Sequence, residues 1–130
     1  SRLNLPVPNE KKQKVMDGAD ILLHVEPFKK SEYQFYRASF STKLVDYFYS
    51  AKCILAVGGM TASTDYLVRN DAAICITDKS KIKESLMKIV DKPQLINEYA
   101  KKSWDCGLIN HQIDKIQTRM YNDFKSLLPK

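Results

Sequence analysis

Ser41, Thr42 and Lys43 stand together just ahead of an apolar pattern formed by Leu44, Val45 and Phe48, and Asp46 follows one turn in. These types at this spacing suit an anion that carries a sugar. The first turn of a helix leaves backbone N–H groups without an intrahelical partner, and two hydroxyls and an ammonium beside them can hold a phosphate or diphosphate. A carboxylate one turn further on can accept hydrogen bonds from a sugar diol. The plainer reading is that Ser41 and Thr42 only cap the helix. Asp46 would then pair with Lys43 or Lys52 at the surface, where such a pair is worth little. Capping alone leaves Lys43 unexplained, because a cation in the first turn opposes the helix dipole.

Other residues have chemistry to offer around this group. Glu26 ends the apolar run 19–25, which also contains His24. The carboxyl end of a buried strand is where an α/β sheet places its ligands, so Glu26 is the candidate catalytic residue. His24 is read first as a core histidine and second as a ligand contact. Gly58-Gly59, ahead of Thr61, forms either a plain tight turn or a second anion nest. Tyr33, Phe35, Tyr36, Arg37 and Phe40 make a stacking surface or a contact with another domain. Aromatics beside an arginine also suit single-stranded nucleic acid, but no nucleic-acid motif accompanies them. The three cysteines, Cys53, Cys75 and Cys106, lack metal-ligand spacing, and the first two lie in apolar runs. Neither a metal, a cofactor nor a disulfide is expected.

The elements that must hold these residues follow from periodicity. A helix is expected over residues 8–17, with Asn9 as its cap and Gly18 as its stop, followed by a strand over 19–25 buried on both faces. Residues 28–40 read as a long loop and a candidate lid. Ser41 caps a helix over 42–50 whose buried face includes Leu44, Val45, Phe48 and Ala51, and the next strand spans 52–57. Thr61 or Ser63 opens a helix to about residue 70, a strand covers 72–76, and Thr77-Asp78 caps a helix to about residue 90. Pro93 opens another helix that Gly107 breaks, and Ile109, Ile113, Ile116, Met120, Phe124 and Leu127 mark one face of a long terminal helix. Strand and helix alternate, which predicts a Rossmann-like parallel sheet with helices on both faces. The helices over 94–128 form a C-terminal extension of the single domain 1–130.

Composition narrows the partners. With 130 residues, 44% of them hydrophobic, the chain can bury one core but not two. The net charge of +6 is spread along the chain rather than gathered in one run, so nucleic acid is not indicated, while peripheral membrane contact through lysines stays open. No apolar run approaches the roughly 20 residues of a membrane span, and the free cysteines suit a reducing cytoplasm.

Taken in order, Ala19-Asp20-Ile21-Leu22-Leu23, Ser41-Thr42-Lys43-Leu44-Val45-Asp46-Tyr47, Ala51-Lys52-Cys53-Ile54-Leu55-Ala56 and Gly58-Gly59 resemble the C-terminal domain of retaining GT-B glycosyltransferases. That family has an Ala-Asp apolar strand, a loop, a Ser/Thr-Lys-Leu-x-Glu-Tyr helix, a strand led by Gly-Lys-Pro-Ile-Leu and a glycine turn. The resemblance implies part of a two-domain enzyme that moves a sugar from a nucleotide-diphosphate sugar to a polysaccharide or glycolipid. It further implies an acceptor domain ahead of this one as a partner. Ser41, Thr42 and Lys43 would meet the diphosphate, Asp46 the ribose in place of the family's glutamate, Gly58-Gly59 the donor region, and Val7 and Pro8 the base. The chain departs from the family at further positions. The second glutamate that many members carry eight positions before the ribose-binding one is Ala38, which leaves Glu26 or Glu32 to take its part. Ala51 stands for the glycine that leads the strand, and Cys53 for the proline. The alternative is a non-catalytic flavodoxin-like or receiver-like interaction module, although a receiver's acidic cluster and phosphoacceptor are not evident.

Overall fold

The computed structural model describes residues 5–33, 41–111 and 113–129. It is a mixed α/β fold around an open sheet of three parallel strands in the order β1-β2-β3. The strands are β1 (Ile21–Val25), β2 (Cys53–Val57) and β3 (Ile74–Ile76). In the register, Leu22 lies beside Ile54, His24 beside Ala56 and Leu55 beside Ile74. Each strand therefore pairs with its neighbour in sequence, and helices fill the intervals.

Helix α1 (Asn9–Asp17) begins at the residue that was expected to cap it. Pro8 takes the cap position, where its carbonyl accepts the Lys11 N–H at 2.9 Å, so Asn9 is already helical. Most of α1 is solvated and only Met16 is buried, against Ser50. The 28–40 interval contains a short helix, α2 (Lys30–Tyr33). The remainder of the candidate lid, with Phe35, Tyr36, Arg37, Ala38 and Phe40, lies outside the described residues.

Helices cover both faces of the sheet. On one face, α3 (Lys43–Tyr49) and α4 (Ala62–Arg69) bring Leu44, Phe48 and Leu67 onto Ile54 and Ala56. On the other, Leu55 and Ile76 meet Ile82 and Ile89 of α5 (Ile82–Asp91), which a 3₁₀ turn capped by Asp78 leads in. Helix α6 (Gln94–Asn110) contributes Ile96 to this second cluster and Cys106 to the first. Between them, Ser103 Oγ donates to the Lys52 carbonyl at 2.7 Å, so α6 crosses the amino end of the sheet. Helix α7 (Ile113–Leu127) completes the chain.

Four expectations change on inspection. β1 is an edge strand with Leu23 53% and Val25 58% exposed, and of its residues only Ile21, at its start, packs against the cluster on the α5 side of the sheet. Ala51 lies off the buried face of α3 at φ 53°, in the left-handed turn that leads into β2. Gly107 does not break a helix but sits inside α6, where a Cβ would come within 2.8 Å of Phe48 Cβ. Its lack of a side chain lets α6 lie close on α3. The break expected there falls instead at His111, the C-cap of α6, and separates the terminal stripe into two helices.

Candidate functional site

The carboxyl ends of β1 and β2 bring together residues from three elements. His24 and Glu26 project from β1 and its end, Lys43 from the first turn of α3, and Thr61 caps α4. This follows from the parallel topology, which sends the chain from the same end of each strand into the helix that follows. Gly58 makes the close approach feasible. At φ 147° its backbone lies where a Cβ would come within 2.2 Å of the Glu26 carbonyl oxygen, so only glycine fits.

His24 is 1% exposed, and its Nε2 lies 3.1 Å from Glu26 Oε1. A carboxylate only accepts, which places the ring proton on Nε2. Thr61 Oγ1 donates to the same Oε1 at 3.4 Å, while it accepts the Thr64 N–H as the cap of α4. His24 Nδ1 is left buried and without a partner among the described residues. Burial lowers the His24 pKa below the usual histidine value and the neighbouring Lys43 charge lowers it further, against an opposing pull from Glu26. The ring is therefore neutral at pH 7.

Around this pair, the Ser41 N–H donates to Ser63 Oγ at 2.8 Å, tying the approach to α3 to the first turn of α4. Thr42 is the cap residue of α3 yet makes no side-chain cap bond, so capping does not account for its hydroxyl. Lys43 is exposed and forms no ion pair among the described residues. Beside Thr61, a hollow of about 360 Å³ is lined by Met60, Thr61, Ala62, Asp65 and Arg69.

The remaining expected residues sit differently. Asp46 pairs at 2.8 Å with Lys12 of α1, neither Lys43 nor Lys52, and this contact raises the Lys12 pKa. Val7 and Pro8 are exposed at the start of α1, where the Pro8 carbonyl accepts the Lys11 N–H. The Gly58-Gly59 pair makes no nest. The Gly58 N–H is taken by the Ile76 carbonyl at 3.1 Å and the Gly59 N–H by the Pro27 carbonyl at 2.9 Å, which leaves neither for an anion. Glu32 is exposed on α2.

Sequence reasoning missed Lys12 and Ser63 as partners of the site. Each bond joins residues far apart in the chain, and neither carries a local signal. Thr61 was legible as a cap, but its second bond to Glu26 depends on the Gly58 turn. All three cysteines are free, and burial pushes the thiols of Cys53 and Cys75 up to about 11, which makes both poor nucleophiles at neutral pH. Among the described residues, no group of three or more His, Cys, Asp or Glu side chains is placed to hold a metal ion, and no helix is long and apolar enough to cross a membrane. No protein-family model, curated protein or solved structure matches this chain.

Proposed function

We propose that this chain is the donor-binding part of a glycosyltransferase, which holds a nucleotide-diphosphate sugar at the carboxyl end of its parallel sheet. The observation that carries this reading is the cation Lys43, which has no ion-pair partner among the described residues and whose charge acts on His24, with the Thr42 hydroxyl making no cap bond, beside a buried His24–Glu26 pair. A cation near a carboxylate suits a ligand that is anionic at one end and rich in hydroxyls at the other. In this reading Lys43 takes the diphosphate and stabilises the charge that develops on it as the bond to the sugar breaks. Asp46 reaches the ribose from the solvent side of α3, where its exposed pairing with Lys12 offers little resistance. Transfer would also require acceptor groups on a further domain, the partner that the sequence resemblance implies.

Calorimetric titration with UDP, GDP and a nucleoside monophosphate tests the reading. One diphosphate is expected to bind, more tightly than the monophosphate. Lys43→Ala should weaken it about tenfold, the worth of one charge-assisted hydrogen bond. A folded protein that binds no diphosphate, or a Lys43→Ala variant that binds as well as the parent, would overturn it.

A further inference from the structure

We infer that the apolar face of α7 seats a second copy of this chain, the two helices lying antiparallel about Met120. Nothing in this pairing depends on the donor-binding reading. Every residue from 116 to 129 is exposed, and along the stripe Ile116 is 40%, Met120 53%, Phe124 66% and Leu127 80% exposed. A helix of 15 residues is marginal in water without packing for its apolar face. The stripe itself says which partner fits. Positions 113, 116, 120, 124 and 127 follow one another at steps of 3, 4, 4 and 3, an order that reads alike from either end. Two antiparallel copies centred on Met120 therefore set Ile116 opposite the second copy's Phe124 and Met120 opposite its counterpart, and the twofold axis makes each such contact twice.

The charges favour the same arrangement. At about 100° per residue, Arg119 and Asp123 lie on one flank of the stripe, and Gln117 and Tyr121 on the other. Antiparallel pairing brings like flanks together. Arg119 of each copy then stands about 3 Å along the axis from the other's Asp123, within reach of its side chain, which gives two cross-pairs of opposite charge. Parallel copies would set that flank against Gln117 and Tyr121 and gain neither pair. A lipid surface fits less well. Residues 116–128 hold only Arg119 and Lys125 as cations, and Asp123 beside the stripe would meet the anionic headgroups. Two such faces bury on the order of 1,000 Å², the low end for a specific interface, which suits a dimer constant of about 10–100 μM.

Sedimentation velocity of the chain between about 1 and 300 μM brackets that constant and reads the association. A monomer is expected at the low end and a dimer at the high end. Met120→Glu, which sets two carboxylates against each other at the centre, should weaken the dimer at least about a hundredfold. Arg119→Glu should weaken it about tenfold by placing like charges on the flank, and adding Asp123→Arg should restore it to within about threefold of the parent. Met120→Cys should crosslink under mild oxidant beyond the level of the parent, whose own three thiols are the control. Leu127→Cys should not, because antiparallel centring holds the two copies of position 127 about 21 Å apart. All four positions are exposed, so these variants should fold. Thermal melts of dilute protein identify any that does not, and the charge exchange carries the test if Met120→Glu is one. A chain that stays monomeric throughout, a dimer that survives Met120→Glu, or a double exchange no better than Arg119→Glu alone overturns the pairing. Equal crosslinking at positions 120 and 127 overturns the antiparallel arrangement. Cosedimentation of a monomeric chain with vesicles of phosphatidylcholine and phosphatidylglycerol would overturn it too, by giving the face to lipid.

Discussion

Three small residues show how far single side chains control the site. Gly58 allows the ends of β1 and β2 to touch, and Gly107 allows α6 to approach Phe48. Gly107→Ala should cost about 1–3 kcal/mol in denaturant unfolding, the usual penalty for overpacking. Gly58→Ala should cost more, because the intruding Cβ meets backbone at a φ unsuited to a side chain. Ala51 is the opposite case. It occupies φ 53° at the position where the glycosyltransferase pattern has glycine, so Ala51→Gly should stabilise the fold by about 1 kcal/mol. His24 adds a pH dependence. Its folded pKa lies below the unfolded value of about 6.5, so the unfolded chain takes up the proton first. Stability is unaffected above that pH and falls as pH drops below it, by at most about 1.4 kcal/mol per unit for one proton. Burial lowers His111 in the same direction, so melts between pH 7.5 and 5 should show a decline that His24→Gln reduces but does not remove.

At the level of elements, the buried strand β2 and the caps Thr61 and Asp78 were legible, while the caps of α1 and α3 fell one residue from where they were expected and contacts that cross the fold were not legible. Thr61 and Asp78 cap helices as their types suggest, and the run 53–57 lies in the core as its apolar content implies. The expectation for β1 failed because an unbroken apolar run cannot distinguish a central strand from an edge strand with one face open. Gly107 misled for a related reason, since a helical glycine required by a neighbouring aromatic looks in sequence like a helix stop. Helix α7 keeps a regular apolar stripe that this chain leaves uncovered, with Met120 and Phe124 exposed and Leu127 80% so. A helix of that kind owes little to tertiary packing. Its amides should exchange with deuterium orders of magnitude faster than those of β2, and protection equal to that of the strand would contradict the exposed stripe.

For the whole molecule, α6 has the largest consequence, because it belongs to both apolar clusters. A chain ending after His111 should unfold cooperatively with a denaturant midpoint close to that of the parent. A chain ending before α6 should lose its sharp transition, since Ile96, Ser103 and Cys106 leave the two faces together. The order of the strands has a further effect, on how the molecule comes into being. Because β1, β2 and β3 are neighbours in both sequence and space, a chain emerging from the ribosome can add each strand to the one before it without waiting for a distant segment. The closing helix arrives after all three, so the nascent sheet remains open at its amino end until nearly the whole domain has been made. During that interval its apolar faces are available to chaperones or to a second nascent chain, and slower translation through residues 94–110 would lengthen the exposure.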